Sequence, residues 1–163
     1  MAHHFDSREG KRVPDVAFRV RRNGDWATIT TKDIFAGRNV VVFSLPGAFT
    51  PTCSSTHLPR YNELAPVFKA QGIDAIVCIS VNDPFVMAAW NKSDGSEDIT
   101  MLADGNGDFA EAIGLTMDGS KFGMGKRSQR YSMVVNDGVV EQLNVEAPGA
   151  YEASSAEHLL EQI

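Results

Sequence analysis

Two short, almost wholly apolar runs limit most strictly what this chain can become. They are residues 39–45 (NVVVFSL) and residues 73–81 (IDAIVCISV). Both are strand length and rich in β-branched residues, and a strand that is apolar on both sides is one buried on both faces. Between them, from Cys53 to Gln71, leucine, tyrosine and phenylalanine recur at helical spacing, with Gly72 as a stop. Strand, helix and strand in that order make a parallel β–α–β unit. Neither run approaches the roughly 20 apolar residues that cross a membrane as a helix.

The rest of the chain extends this unit. Residues 18–21 and 26–30 flank Asn23-Gly24, and residues 131–135 and 139–145 flank Asn136-Asp137-Gly138. Both read as β-hairpins. A short capped helix is expected at Thr31–Phe35, ended by Gly37. Another is expected from Asn82-Asp83-Pro84 through Trp90, with Pro84 at the favoured first position. A strand is expected over 99–102, and a short helix over 108–113 is stopped by Gly114. The last helix is expected to be capped by Ser154 with Glu157 three residues on. Pro59 and Pro66 are expected to kink or split the 53–71 helix. The order predicts an α/β, thioredoxin-like fold. Its mixed central sheet has helices on both faces, with an N-terminal β-hairpin as an extension.

With 163 residues the expectation is one domain spanning 1–163. The net charge of −6 offers no general attraction to nucleic acid or to an anionic membrane. Residues 1–14 lack the apolar core of a signal peptide, and two cysteines do not make a disulfide scaffold, so the cytoplasm is the expected setting. His3 and His4 fit a tag remnant and a native start equally.

In open α/β sheets the chemistry sits beyond the carboxyl end of a central strand, where the next helix begins. Here that place is Ser44-Leu-Pro-Gly-Ala-Phe-Thr-Pro-Thr-Cys53. A cysteine in the first turn of a helix meets unpaired N–H groups and the positive end of the helix dipole, which favour the nucleophilic thiolate. The polar and turn residues Pro51, Thr52, Ser54 and Ser55 around it suit the mouth of a pocket better than a core.

The segment resembles the peroxiredoxin active site, P-x-x-x-T-x-x-C, with Pro46, Thr50 and Cys53. Further on, SLPGAFTPTCSSTHLPRYNELAPVF, CISVNDPFVMAAW, LADGNGDFAEAIGL and KRSQRYSMVVNDGVV are similar to the plant type II and mammalian type 5 branch of that family. The resemblance runs from about residue 13 to the C-terminus. It implies a thiol peroxidase that needs no cofactor and acts on hydrogen peroxide and alkyl hydroperoxides. Cys53 would be the nucleophile, and the hydroxyl of Thr50 would meet both sulfur and peroxide. Pro46 would shield the sulfur from water. The resemblance also supplies an arginine that favours the thiolate and bonds the peroxide oxygens, and its matching position is Arg130. Arg127 is the competitor, expected in the glycine-rich loop before the strand.

The resemblance implies that Cys53 is recycled by an outside thiol, glutathione with glutaredoxin, or thioredoxin. Cys78 reads as inert packing in its strand, with a resolving role as the other reading. Members of the branch often form dimers, so a homodimer is expected, with Phe49, Phe85 and Trp90 lining pocket and interface. A redox sensor that oxidises Cys53 without sustained turnover remains a second reading. A Cys–His hydrolase is a third, but it lacks an orienting acid.

Other patterns carry less. Cys53 and His57 lie four apart, but a metal site needs more ligands than this pair. His57 is read as capping or packing near the helix. Asp104, Asn106 and Asp108 begin like a calcium loop, but Phe109 and Leu115 stand where it needs Gly and Glu. Gly105-x-Gly107-x-x-Ala110 reads as a turn, since the region about 20 residues on is basic rather than acidic.

Overall fold

The computed structural model describes residues 8–163. His3 and His4 lie outside the described residues.

The two apolar runs become neighbouring parallel strands, β3 (Asn39–Ser44) and β4 (Ala75–Ser80), as their burial on both faces requires. A five-stranded sheet forms around them in the order β5-β4-β3-β8-β9. Here β5 is Thr100–Ala103, β8 is Tyr131–Asn136 and β9 is Val139–Val145. β5 joins β4 in parallel, whereas β8 runs antiparallel to β3 and to β9. The β8–β9 turn closes with Asp137 and Gly138 both at positive φ, the backbone that suits a two-residue hairpin. The sheet is therefore mixed, as the helices and hairpins of the sequence imply.

Side chains alternate across β3 and build two cores. Val41 and Phe43 face the larger one, under α2 (Leu58–Ala70), α3 (Pro84–Asp94) and α5 (Ala156–Gln162). Val40 and Val42 face the other, which takes Ile34 and Phe35 of α1 (Thr31–Phe35) and Phe109 and Ile113 of α4 (Asp108–Ile113). Helices thus cover both faces of a thioredoxin-like sheet. The N-terminal hairpin, β1 (Ala17–Arg22) with β2 (Asp25–Thr30), forms its own two-stranded sheet and sends Phe18 against Phe109. Gly10 N–H donates to Val140 O and Val140 N–H donates to Lys11 O at the outer edge of β9, which leaves less of it open to a stray strand.

The helix ends follow their caps. Thr30 and Asp33 form a reciprocal capping box at α1. Asp83 caps α3, with Pro84 at its first position and Gly95 in the left-handed conformation at its end. The last helix differs from expectation. Its cap is Ser155, which accepts from the His158 N–H, because Ser154 is drawn into a different set of bonds. Glu157 pairs instead with Arg60 on α2.

Two short strands, β6 (Thr116–Asp118) and β7 (Lys126–Ser128), were not legible in the sequence. They turn the expected glycine-rich loop into a hairpin, and Arg127 stands on a strand rather than in a loop. No helix among the described residues is long and apolar enough to cross a membrane.

Candidate active site

The register between β3 and β8 builds the site. Ser44, the last residue of β3, pairs with Tyr131, the first of β8. The segment after Ser44 and the segment before Tyr131 therefore emerge on the same edge of the sheet. They carry the Pro46–Thr50 turn and Arg130.

From this turn the chain enters a helix at Pro51, so Cys53 lies in its first turn. The first helical bond runs from Ser54 N–H to Thr50 O at 2.9 Å. From Cys53 to His57 the helix widens to π geometry, and the Leu58 N–H reaches back to the Cys53 carbonyl. Pro59 is the cause. It has no N–H for the Ser55 carbonyl, and its ring crowds that carbonyl. Neither proline splits the helix, which runs on through Pro59 in the first turn of α2 and through Pro66 inside it.

Cys53 is fully buried, not at the mouth of a pocket. The mouth is a cleft of about 380 Å³ formed by Pro46, Thr52, Arg130, Met117, Pro148 and Tyr151. The sulfur is met by a cation. Arg130 Nη2 donates to Cys53 Sγ at 3.2 Å. Its Nη1 donates to His57 Nδ1 at 2.9 Å, and Tyr151 lies with its ring 5.8 Å from the guanidinium carbon. Arg127 turns elsewhere. Its Nε donates to Met124 O at 2.9 Å and its Nη1 lies 3.5 Å from Pro46 O. A Cβ on Gly47 would stand 2.7 Å from that Nη1, so glycine is what lets Arg127 lie over this turn.

Thr50 departs from its expected double role. Its hydroxyl proton is committed to Gly47 O at 2.7 Å, which leaves its lone pairs free to accept. The turn itself is strained. Phe49 has φ of +63° just before Thr50, at the third position of a turn closed by Thr50 N–H to Gly47 O. A positive φ there is the usual place of glycine, and in a bulky residue it is an outlier. The Ala48 N–H is held by Asn82 Oδ1 at 2.9 Å, which fixes the turn from α3's approach loop.

His57 packs against the helix as expected, but its bond to Arg130 was not read from the sequence. It is fully buried, and Phe43, Tyr61 and Tyr151 pack around its ring. Its Nε2 faces the Ser154 carbonyl at 3.1 Å. A carbonyl only accepts and a guanidinium only donates, so the proton sits on Nε2 and Nδ1 accepts from Arg130. Burial, and then the Arg130 charge, push its pKa down from 6.5 to about 3. His57 is thus neutral at any ordinary pH. The spacing of four from Cys53, which puts both on one helix face, was the signal in the sequence; it was too little for a metal site and did not reveal the arginine that the structure places between them.

Trp90 is in the core, not at an interface. Its indole N–H donates to Ser54 Oγ at 2.9 Å and ties α3 to the helix of Cys53. Phe49 and Phe85 are both more than half exposed. Cys78 is fully buried in the same core as Cys53, both are free thiols, and burial pushes the Cys78 thiol well up.

Residues 8–160 match the redoxin family. The chain belongs to that family, in the type II/type 5 branch of the peroxiredoxins. A hybrid peroxiredoxin of Haemophilus influenzae is 52% identical to this peroxiredoxin over 162 residues, covering 98% of this chain and 67% of that protein. The chloroplastic peroxiredoxin-2E-2 of rice, Oryza sativa subsp. japonica, is 45% identical over 160 residues, covering 94% and 71%. Among solved structures, reduced Prx3 of Vibrio vulnificus in complex with H2O2 superposes with a TM-score of 0.91 at 47% identity, covering 94% of this chain and 97% of that one. This peroxiredoxin is accordingly an antioxidant thiol peroxidase, which acts on peroxides with a thiol reductant.

The neutral, buried His57 makes folding pH-dependent. Its pKa is depressed in the fold, so between pH 6.5 and about 3 the unfolded chain holds a proton that the folded chain does not. Stability is therefore full above pH 6.5 and falls as the pH drops. Urea unfolding at pH 7 and pH 5 is expected to differ by about 2 kcal/mol through this group. His57→Leu should abolish that difference; an equal pH dependence in both proteins would contradict it.

Proposed function

We propose that this peroxiredoxin reduces hydrogen peroxide and alkyl hydroperoxides with Cys53 as its nucleophile. Glutathione with glutaredoxin would then return the sulfur to its thiol. The single observation that supports the site assignment best is the Arg130 guanidinium between Cys53 Sγ and His57 Nδ1. A thiolate buried without a cation is strongly disfavoured, and a hydrogen bond to a charged group contributes about 1.5–3 kcal/mol.

In the proposed reaction the Cys53 thiolate attacks one peroxide oxygen in line with the O–O bond. That bond breaks, and its electron pair leaves on the far oxygen as hydroxide or alkoxide, which takes a proton from water. The sulfur is oxidised to the sulfenic acid. Arg130 would stabilise the charge as it moves from sulfur to oxygen. Thr50, with its own proton on Gly47 O, would accept the peroxide O–H and so orient the oxygen under attack. Pro46, in the cleft wall, has no N–H to compete for the peroxide. The apolar side of the cleft, with Met117, Pro148, Ala150 and Tyr151, suits the tail of an alkyl hydroperoxide.

Recycling begins when glutathione attacks the sulfenic acid, releasing water and leaving a Cys53–glutathione disulfide. A second thiol, from glutathione or glutaredoxin, displaces Cys53 and carries the glutathionyl group away. Burial holds Cys78 as an unreactive thiol, which favours an outside partner. Thioredoxin is the competing reductant. The free state of both cysteines fits a reducing setting such as the cytoplasm.

A homodimer is part of the same proposal. Trp26 and Phe85 meet edge to face at 5.8 Å while each is about half exposed, and Phe49 stands exposed at the active-site turn. Exposed aromatics of this kind are common where proteins meet.

Three outcomes are expected. Cys53→Ser should have no peroxidase turnover, Arg130→Ala should lose about a hundredfold in kcat/KM for peroxide, and Arg127→Ala should lose less than about tenfold. Steady-state assays with hydrogen peroxide read all three, and a larger loss in Arg127→Ala would move the role to that residue. Secondly, Cys78→Ser should turn over at the wild-type rate with glutathione and glutaredoxin. Mass spectrometry after one equivalent of peroxide should find Cys53 with glutathione; a dominant Cys53–Cys78 disulfide, with turnover lost in Cys78→Ser, would defeat the external-thiol scheme. Thirdly, sedimentation should give a dimer at micromolar concentration that Phe85→Asp converts to monomer. A wild-type protein that is already monomeric would count against the interface.

A further inference from the structure

We infer that Glu146 is a positioning residue for Cys53, acting on Arg130 through Ser154 and His57. The inference rests on the proposed role of Arg130 at the sulfur.

Glu146 directly follows β9, and its side chain is buried at 5% exposure. Its carboxylate accepts four hydrogen bonds from one short stretch of chain. They come from Glu152 N at 2.6 Å, Ala153 N at 3.2 Å, Ser154 N at 2.9 Å and Ser154 Oγ at 2.7 Å. Burial alone raises a carboxyl group, but here these bonds outweigh it and hold Glu146 below its ordinary value. The carboxylate is thus charged at neutral pH, and its charge is answered by backbone N–H groups of a loop.

What those bonds fix is Ser154, at its N–H and its hydroxyl, and the peptide that follows it is tied to the same loop by Ser155 N–H to Glu152 O at 3.1 Å. Its carbonyl points into the core, where it accepts from Tyr61 Oη at 2.8 Å and from His57 Nε2 at 3.1 Å. The carbonyl sets the tautomer of His57. With the proton on Nε2, the Nδ1 lone pair is available to the Arg130 Nη1–H, and Nη2 is left to reach Cys53 Sγ. A rotated Ser154 peptide would remove the reason for that tautomer. The other tautomer would aim an N–H at a guanidinium that has only N–H groups to offer.

A second link runs through the backbone. The Glu146 N–H donates to the Arg130 carbonyl at 2.9 Å. One residue thus holds Arg130 twice, by its main chain directly and by its guanidinium through the relay. The same loop carries Tyr151, whose ring meets His57 edge-on with centroids 5.2 Å apart.

The test uses the whole protein. Glu146→Gln keeps the side-chain size but turns an amide N–H2 toward N–H donors. Iodoacetamide alkylation of Cys53 at pH 7 is expected to slow about tenfold, and kcat/KM for hydrogen peroxide to fall by a similar factor. Nitrogen NMR of labelled histidine should show His57 wholly as the Nε2–H tautomer in the wild type and as a mixture in the variant. In a His57→Leu background, Glu146→Gln should slow alkylation no further, because the relay is already cut. A folded Glu146→Gln with wild-type alkylation and an unchanged tautomer overturns the inference. So does an equal loss in both backgrounds. If Glu146→Gln does not fold, Ser154→Ala removes one of the four bonds and spares the carbonyl. It should slow alkylation about two- to threefold, and wild-type alkylation there would overturn the inference. Alkylation and NMR need no peroxide, so a protein without peroxidase turnover would defeat the proposed function while leaving this relay to be judged by itself.

Discussion

Everything at this site depends on one contact, a guanidinium placed against a sulfur that water does not reach. Sγ of Cys53 is buried, and burial by itself favours the neutral thiol. Arg130 Nη2 stands 3.2 Å from it and sets a positive charge against it. The fold supplies that contact through strand register. Ser44 pairs with Tyr131, so the chain leaving β3 and the chain entering β8 meet at one edge. A slip of one residue would turn Tyr131 to the opposite face and carry Arg130 away from the helix of Cys53. The apolar β3 therefore acts on the chemistry as much as on the core, because its buried alternation fixes the register.

Two local departures from regular structure stand close to that contact. They are a bulky residue at positive φ in Phe49 and a π-helical turn at Cys53–His57. Each is unfavourable alone, at about 1–3 kcal/mol for a strained backbone. A hydrogen bond supports each: Asn82 holds the turn, and Trp90 holds Ser54. Such departures collect where a site demands a geometry that regular helices and turns do not provide.

The sequence made the architecture legible where one force dominated. The 39–45 and 73–81 runs could only be buried strands, and Asn-Gly and Asp-Gly pairs marked both hairpins. It was silent where several weak forces competed. β6 and β7 are three residues each, too short for an alternating pattern to stand out. Ser154 and Ser155 are equal candidates for a cap on local grounds, and only the distant Glu146 separates them. The burial of Cys53 also escaped a local reading, since Thr52, Ser54 and Ser55 look like a surface segment. They are the outer faces of a helix whose inner face is Cys53 and His57. The resemblance to peroxiredoxins singled out Cys53, Thr50, Pro46 and Arg130, and the structure brings Arg130 to the Cys53 sulfur. His57 was not singled out, because its role exists only once β8 has brought Arg130 beneath it.

Cys53 and Cys78 make the same point by contrast. Both are fully buried free thiols, in one core, on one side of the sheet. Cys78 sits on β4 with Phe43 on one side and Met101 on the other, and burial, with Cys53 adding to it, pushes its thiol up. Cys53 differs by the end of a helix and one guanidinium. A helix start and a charged hydrogen-bond donor are both features that suit a thiolate in general. Two chemically identical side chains in one core are thereby separated into a candidate nucleophile and a packing residue by where the strands end.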